Sequence, residues 1–310
     1  MIKIDKIYDN SINIVYGTNN KYAKYMCVSI QSLVENCSTD KNYDIIIFET
    51  NVDKSLQDKI TSIAKNKDNI SIRFLNVASI YDKYDSEKLF CHIYFSKEMY
   101  LRLFIPEVLA DYDKAIYLDC DTIIQADISE LYNTDFENNY ICASRDYNSI
   151  VNIAYYPKVN YYFTQMLGFQ SMNNYINSGV LLMNLPVLRE VNLPQKTFEL
   201  LDKYKELLYP DQDLINIICK DNIKIIHNGW NFVFGINAAL IHDNHFLDMA
   251  IEWSQGLADQ KIIHYISDQK PWDKPEMSYA DIWWKYAKLC PIYQTLLKDY
   301  FDANPDKLKD

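Results

Sequence analysis

The sequence has only six glycines among 310 residues, and none of them belongs to a glycine-rich nucleotide loop. Neither the G-x-G-x-x-G fingerprint of dinucleotide-binding folds nor the G-x-x-x-x-G-K-S/T phosphate loop occurs. Both motifs need glycine because the backbone must approach a phosphate group closely. Their absence argues against these two modes of cofactor binding.

Cysteine pairs and long apolar runs are missing as well. The seven cysteines are an odd number without a C-x-x-C pair, which predicts neither a disulfide framework nor a zinc cage. No apolar run approaches the ~18 residues of a membrane-spanning helix. The first residues also lack the apolar core and cleavage site of a signal peptide. We therefore expect a cytoplasmic protein with reduced thiols, no transmembrane segment and at most peripheral membrane contact.

Basic residues are outnumbered. The chain carries 31 Lys and Arg against 42 Asp and Glu, a formal net charge of −11. Binding a nucleic-acid backbone requires clustered Lys and Arg that neutralise phosphates. The sequence therefore predicts no nucleic-acid partner.

What is present is an alternation of short apolar runs with amphipathic stretches, which is typical of βαβ units and a mostly parallel sheet flanked by helices. Ser96 is expected to cap a helix that Pro106 interrupts or ends. No linker-like stretch divides the chain. Strands are predicted at 12–16, 44–48, 71–75, 114–118, 180–183, 223–226 and 261–264, and helices at 22–35, 54–65, from 96, from 210 and over 281–301.

The most informative segment is YLDCDT at 117–122, where a buried strand runs into two aspartates. In a parallel sheet the ligand site lies beyond the carboxyl ends of the strands. Alternate residues of an extended backbone point the same way, so Asp119 and Asp121 could hold one divalent cation and its bound phosphates. A turn without function is the alternative, because Asp is common in turns and D-x-D arises often by chance.

The turn after the first strand, IVYGTNN at 14–20, could hold a nucleoside. Tyr16 would stack on the base and Asn19 would match the donors and acceptors of a pyrimidine. A plain strand-to-helix turn explains the same residues equally well. Arg102 lies in an apolar helical stretch and needs a carboxylate or phosphate partner, with a structural salt bridge as the simpler interpretation.

His264 ends the last predicted strand, and Lys270 comes six residues later. Histidine at a strand end is a competent third metal ligand, and lysine can neutralise a diphosphate leaving group. Asn177 and Asp211 offer polar groups for sugar hydroxyls, although Asp211 or Asp213 could equally be a helix cap. The remaining histidines, which have no comparable neighbours, are expected to be structural: His92, His227, His242 and His245.

Taken together in chain order, these segments resemble glycosyltransferase family 8, which includes bacterial lipopolysaccharide galactosyl- and glucosyltransferases and the glycogenins. The resemblance implies a GT-A nucleotide-diphospho-sugar transferase fold, with a catalytic domain over 11–272 and a helical appendage over 273–310. The matching motifs are IVY with YA (14–16, 22–23), YLRL (100–103), YLDCD (117–121), NSGV (177–180), DQD (211–213) and HY with KPW (264–265, 270–272).

The resemblance also implies an activity, namely retaining transfer of a hexose from UDP-glucose or UDP-galactose to a glycan, glycolipid or glycoprotein. Mn²⁺, or Mg²⁺, and Lys270 would stabilise the departing UDP, and front-face substitution beside Gln212 is the favoured mechanism over a covalent intermediate. By position, the metal ligands would be Asp119, Asp121 and His264. Uridine would contact Tyr16, Thr18 and Asn19, with Asp119 also at the ribose; the donor sugar would contact Arg102, Asn177, Asp211 and Gln212, and Asp146 would lie at the sugar or the acceptor.

Three other functions are compatible with parts of the pattern. A haloacid-dehalogenase-like phosphatase also uses D-x-D, but it needs Thr or Val where Ile123 stands. A metal-dependent nucleotidyltransferase would consume a nucleoside triphosphate and release pyrophosphate. A non-catalytic UDP-sugar-binding protein would keep the nucleotide site without turnover. The presence of both acids, His264 and Lys270 favours a working transferase.

Overall fold

A computed structural model of the chain describes residues 4–91 and 96–308, so His92 lies outside the described residues. The strands are β1 Ile12–Thr18, β2 Tyr43–Glu49, β3 Ile70–Asn76, β4 Lys114–Leu118, β5 Thr122–Ile124, β6 Ile141–Ala143, β7 Val180–Asn184, β8 Ile223–Ile225, β9 Phe232–Val233 and β10 Ile262–His264.

The α-helices are α1 Asn20–Asn36, α2 Lys54–Thr61, α3 Ile80–Lys83, α4 Ile105–Val108, α5 Ser129–Tyr132, α6 Tyr147–Tyr155, α7 Pro157–Tyr161, α8 Leu185–Glu190, α9 Leu193–Lys203, α10 Pro210–Ile218, α11 Ala239–His242, α12 Leu247–Ala258, α13 Ala280–Ala287 and α14 Tyr293–Ala303. A π-helix spans Tyr162–Met166, and 3₁₀ helices span Ser62–Ala64, Ser86–Lys88, Lys97–Phe104, Asn228–Asn231, Asn244–Phe246 and Pro305–Leu308.

Seven strands form the central sheet in the order β3-β2-β1-β4-β7-β6-β8. The first four strands of this order are parallel, whereas β7 runs antiparallel to both of its neighbours. Both faces of the sheet are covered, because Ile14 and Tyr16 join a core with α1 while Val15 joins a second core with Leu101. Burial on both faces explains why the strands read as continuous apolar runs. The mostly parallel α/β architecture is confirmed.

A second, three-stranded sheet has the order β5-β10-β9. Strand β5 follows β4 after a short turn at Cys120 and Asp121, and it pairs antiparallel with β10 so that Thr122 lies opposite His264. The chain therefore passes from the large sheet to the small one directly at the two predicted metal-binding acids. This crossover is what brings His264 to them.

The C-terminal helices pack against the rest of the chain. Trp283 of α13 is fully buried, and it belongs to the same core as Met26 of α1. The division at 272 stays a prediction, since the helices beyond it share this core. Within the described residues, no helix has the combination of length and apolar character that a membrane crossing requires. All seven cysteines are free.

Two local predictions are wrong in detail. Residues 97–104 form a 3₁₀ helix, and the side chain of Ser96 makes no capping hydrogen bond. Pro106 stands in the first turn of α4 and so begins a helix instead of ending one. Proline is favoured there because its missing N–H is not needed in the first turn. The helical region predicted over 281–301 is confirmed and consists of two helices, α13 and α14.

Candidate functional site

The two aspartates lie where β4 ends and β7 begins. The Asp119 amide donates to the carbonyl of Gly179 at 2.8 Å, which joins the carboxyl end of β4 to the segment entering β7. The chain then turns, and the Thr122 hydroxyl donates to the Asp119 carbonyl at 2.8 Å. The carboxylates therefore converge through a turn and not through the alternation of an extended strand. The segment is thus a turn, as the alternative interpretation has it, and this turn brings the two carboxylates together.

His264 completes a three-residue cluster with these acids. The Tyr265 amide donates to the Asp121 carbonyl at 3.0 Å, which fixes β10 beside the turn. The Nε2 atom of His264 lies 3.2 Å from Oδ1 of Asp121 and 3.7 Å from Oδ2 of Asp119. One ligand atom from each residue falls within 4.8 Å of the others. The structure thus brings together the three predicted metal ligands.

Each carboxylate uses its other oxygen to bind a cation. Oδ1 of Asp119 accepts from Arg102 at 2.7 Å and from the Tyr117 hydroxyl at 2.8 Å. Oδ2 of Asp121 accepts from Nζ of Lys270 at 2.6 Å. The oxygens that face His264 therefore belong to side chains whose orientation is already set. Such preorganisation is what a metal or phosphate site needs.

Electrostatics keep Asp121 ionised. Burial alone would raise the pKa of its carboxyl, but the Lys270 ammonium opposes burial, and that pKa is held well below the ordinary value. A carboxylate that stays deprotonated is the form that binds a metal ion. Two carboxylate oxygens and one imidazole nitrogen are a donor set that fits a divalent metal ion, with remaining positions for phosphate oxygens and water.

A glycine makes room for the histidine ring. A Cβ at Gly179 would lie 2.1 Å from Cε1 of His264 and 2.8 Å from Oδ2 of Asp119. No side chain larger than hydrogen fits there without displacing the ring. The cluster therefore depends on close approach of the backbone, and its residues fit a bound divalent metal.

This steric requirement predicts that Gly179→Ala disrupts the cluster. The added methyl group pushes His264 away from the acids, and a displacement of about 1 Å costs about 100-fold in turnover. We expect weaker Mn²⁺ binding, measured by electron paramagnetic resonance, together with that loss of activity. Gly17→Ala is the milder comparison and should lose less, because its Cβ would meet its nearest neighbours at 3.2 Å, a tight contact that a small shift relieves. Equal Mn²⁺ affinity in Gly179→Ala and wild type would refute the steric argument.

The predicted sugar-binding residues form a buried network next to the acids. Nε2 of Gln212 donates to Asp146 at 2.9 Å and to the Tyr175 hydroxyl at 3.2 Å, while its Oε1 accepts from the Ser178 amide at 3.2 Å. Oδ1 of Asn177 accepts from the Gly179 amide at 3.0 Å. Asp146, Asn177 and Gln212, which are far apart in the chain, are thus brought to one place.

Arg102 links this network to the metal-binding acids. Its side chain is 5% exposed and contacts Asp119 at 2.7 Å and Asp211 at 3.1 Å, and it also donates to the Ser178 carbonyl at 2.7 Å. Burial alone would lower the pKa of the guanidinium, but the two aspartates raise it. Arg102 is therefore charged and paired, and the salt-bridge interpretation holds for the protein without ligands.

Neither Asp211 nor Asp213 is the N-cap of α10, which is Tyr209. Oδ2 of Asp211 accepts from Ser178 at 3.0 Å, and burial raises the pKa of this carboxyl against the opposing effect of Arg102. Asp213 is fully buried and accepts from the hydroxyls of Tyr162 and Tyr175, each at 2.5 Å. Asp211 therefore belongs to the site, whereas Asp213 anchors the start of α10 to its neighbours.

The stacking role predicted for Tyr16 is wrong. Its side chain is fully buried, and its hydroxyl is 2.9 Å from the Ser29 hydroxyl, because both faces of β1 are covered. Thr18 is also buried. Asn19 is partly exposed; it caps α1 by accepting from the Tyr22 amide at 3.1 Å, and it donates to Glu98 at 2.9 Å.

Tyr22 belongs to the YA motif at 22–23, but no ligand contact is predicted for it from the sequence. It stands in the first turn of α1 and is half-buried. Burial raises the pKa of its hydroxyl, while the nearby Lys270 ammonium lowers this pKa and the Asp121 carboxylate raises it. The sequence could have indicated this residue, because Tyr22 lies just beyond the carboxyl end of the predicted strand, where side chains are no longer buried in the sheet.

The comparison with known proteins agrees with this geometry. The model of glycosyl transferase family 8 matches residues 13–276. A protein from Haemophilus influenzae is 32% identical over 224 residues, 72% of this chain, and the match spans 63% of that relative, less than two thirds of its length. Lipopolysaccharide 1,2-glucosyltransferase from Escherichia coli K12 is 26% identical over 278 residues, 87% of this chain and 77% of its own.

Among solved structures, an active-site mutant of LgtC superposes with a TM-score of 0.76 at 23% identity, covering 90% of this chain and 96% of its own. That similarity confirms the expected GT-A fold. The family match extends from the first strand to just beyond Lys270 and so includes every residue of the cluster. The chain belongs to glycosyl transferase family 8.

Proposed function

We propose that this protein transfers a hexose, glucose or galactose, from a UDP-sugar to a hydroxyl of a glycan, glycolipid or glycoprotein, with retention of anomeric configuration. The observation that carries the proposal is the convergence of Asp119, Asp121 and His264 beside Lys270. A divalent metal bound there would supply Lewis-acid stabilisation of the diphosphate, worth several kcal/mol in the transition state.

Lys270 is proposed to stabilise the leaving group. Its ammonium is held by Oδ2 of Asp121 at 2.6 Å and by the Tyr265 carbonyl at 2.5 Å, and its side chain is 16% exposed. A cation fixed at the edge of the metal cluster can meet the negative charge that develops on the β-phosphate. Because that charge grows as the sugar leaves, the interaction strengthens in the transition state and accelerates the reaction.

The donor sugar is proposed to lie against Gln212, Asp211 and Asn177. Oδ2 of Asp211 is occupied by Arg102 and Ser178, which supports a mechanism without a carboxylate nucleophile. Gln212 carries an amide, which is a poor nucleophile but can stabilise an oxocarbenium-like state. These two features favour front-face attack by the acceptor hydroxyl over a covalent intermediate.

The nucleoside is proposed to bind between Asn19 and Tyr22, with Thr18 lining the base of the site. Tyr22 replaces Tyr16 as the stacking residue, because it is half exposed next to Lys270. Hexose as the transferred group is supported by two relatives: LgtC is a galactosyltransferase that has been solved with donor and acceptor sugar analogues, and the Escherichia coli relative is named a glucosyltransferase. A cytoplasmic location stays a prediction.

A donor screen tests this proposal. The purified protein is incubated with UDP-, GDP- and ADP-sugars and glycan acceptors in Mn²⁺, Mg²⁺ or chelator. Nucleotide release is measured, followed by NMR of the anomeric configuration of the new glycosidic bond. We expect release of UDP from UDP-glucose or UDP-galactose only with metal, and a retained product. Pyrophosphate release from a nucleoside triphosphate would identify a nucleotidyltransferase instead. UDP-sugar binding without turnover, even with glycan acceptors, would identify a binding protein.

A further inference from the structure

His264 has a hydrogen-bond partner on the side of its ring away from the acids. Its Nδ1 atom lies 2.8 Å from Oδ1 of Asn231, which ends the short 3₁₀ helix Asn228–Asn231 just before β9. Asn231 is 3% exposed and His264 is 3% exposed. Water therefore does not compete with this contact, and Asn231 is the hydrogen-bond partner of Nδ1.

The polarity of the contact follows from a chain of three hydrogen bonds. The backbone amide of Gly179 can only donate, and it donates to Oδ1 of Asn177 at 3.0 Å. The Asn231 group that approaches the same oxygen at 2.9 Å must then be the NH₂ of Asn231. Its carbonyl oxygen consequently faces His264, and a carbonyl oxygen only accepts. Nδ1 of His264 must therefore carry the proton.

We infer that Asn231 is a positioning residue that selects the tautomer of His264 and so leaves Nε2 free to bind a metal ion. A neutral imidazole with its proton on Nδ1 has its lone pair on Nε2, which is the atom facing the two carboxylates. The opposite tautomer would donate from Nε2 to Asp121 and would not bind a cation. The metal part of this inference rests on the proposed function.

The arrangement also explains two neighbouring residues. Asn177 is 8% exposed, and its oxygen is held by Gly179 and Asn231 at the same time. Gly179 in turn lies directly against the His264 ring. One polar relay therefore runs from the backbone at the start of β7 to the ring nitrogen. Buried partners of metal-binding histidines commonly fix the tautomer in this way, and losing one costs about 10- to 100-fold in metal affinity.

The test compares three variants by two measurements. Long-range ¹H–¹⁵N spectra of histidine-labelled protein without metal report the tautomer, with His264 assigned from its absence in His264→Gln. Mn²⁺ affinity is measured by electron paramagnetic resonance. Asn231→Leu removes the acceptor at Nδ1, Asn231→Asp keeps an acceptor there, and Asn228→Leu is the matched control. Asn228 is also buried in the same 3₁₀ helix, and its side-chain amide has no hydrogen-bond partner within the described part of the chain.

In wild type we expect the proton on Nδ1. In Asn231→Leu the proton moves to Nε2, where it can donate to Asp121, and Mn²⁺ affinity falls about 10- to 100-fold. Asn231→Asp keeps the wild-type tautomer and binds Mn²⁺ more tightly than Asn231→Leu, and Asn228→Leu changes neither quantity. A wild-type Nδ1 without a proton would overturn the inference, as would an unchanged tautomer in folded Asn231→Leu. If the tautomer shifts between wild type and Asn231→Leu as expected but wild type binds no Mn²⁺, the proposed function fails and the role of Asn231 in the tautomer stands.

Discussion

Replacing Asp121 by asparagine is expected to lower the rate of UDP release from the donor about a thousandfold. The substitution keeps the size of the side chain but removes the charge that faces His264 and Lys270. Losing about 4 kcal/mol of transition-state stabilisation corresponds to that factor. The rate is measured with saturating Mn²⁺ and UDP-sugar, and thermal unfolding confirms that the variant is folded.

The matched control for this variant is Asp113→Asn. Asp113 stands just before the other end of β4 and is exposed, so the same chemical change is made on the same strand away from the cluster. We expect the control to keep wild-type activity. If Asp121→Asn retains more than about a tenth of wild-type activity, a loss of less than ~1.4 kcal/mol, Asp121 does not hold the metal.

Arg102→Met is expected to lower the free energy of unfolding by about 3 to 5 kcal/mol. Methionine fills much of the space, but it leaves Asp119 and Asp211 without their cation and removes the hydrogen bond to the Ser178 carbonyl. Breaking a buried ion pair on one side is costly because the other charge stays in a poorly solvated place. Urea unfolding followed by tryptophan fluorescence measures the difference.

Two further variants separate charge from packing in this prediction. Arg102→Met combined with Asp211→Asn should recover part of the lost stability, because it removes one of the uncompensated charges. Arg145→Met is the control, since the Arg145–Glu252 pair is about a quarter exposed, and it should cost about 1 kcal/mol or less. Similar losses for Arg102→Met and Arg145→Met would contradict the account of Arg102 as the buried link between the two halves of the site.

The predictable part of the fold was the part with a strong apolar pattern. Strands β1, β2 and β4 contain apolar runs, and β3 alternates apolar with polar residues; the sequence predicts each of the four to within two residues at its ends. Of the small sheet only β10 is predicted, by the strand at 261–264. Strands β5 and β9 are not, because three and two residues are too short for a periodic pattern. Because both faces of β1 are buried, its apolar sequence does not indicate which side chains point into the core and which reach a ligand. The burial of Tyr16 could therefore not be predicted.

The site was predictable where charged or metal-binding side chains stand next to the ends of buried strands. Asp119, Asp121, His264 and Lys270 carry charge or metal-binding groups next to strand ends, and they are brought together as expected. Asn231 carried no such signal, because a buried asparagine in an irregular segment is usually structural. Its role depends on the distance to His264, which arises from the parallel pairing of β9 with β10.

The most direct test of the proposed metal-bridged nucleotide site is a calorimetric titration of UDP into the wild-type protein with Mn²⁺ and, separately, with a chelator. A metal held by Asp119, Asp121 and His264 would join the protein to the diphosphate. We therefore expect UDP to bind about 100-fold more tightly with Mn²⁺, a difference of about 2.7 kcal/mol. Equal UDP affinity with metal and with chelator would contradict this account.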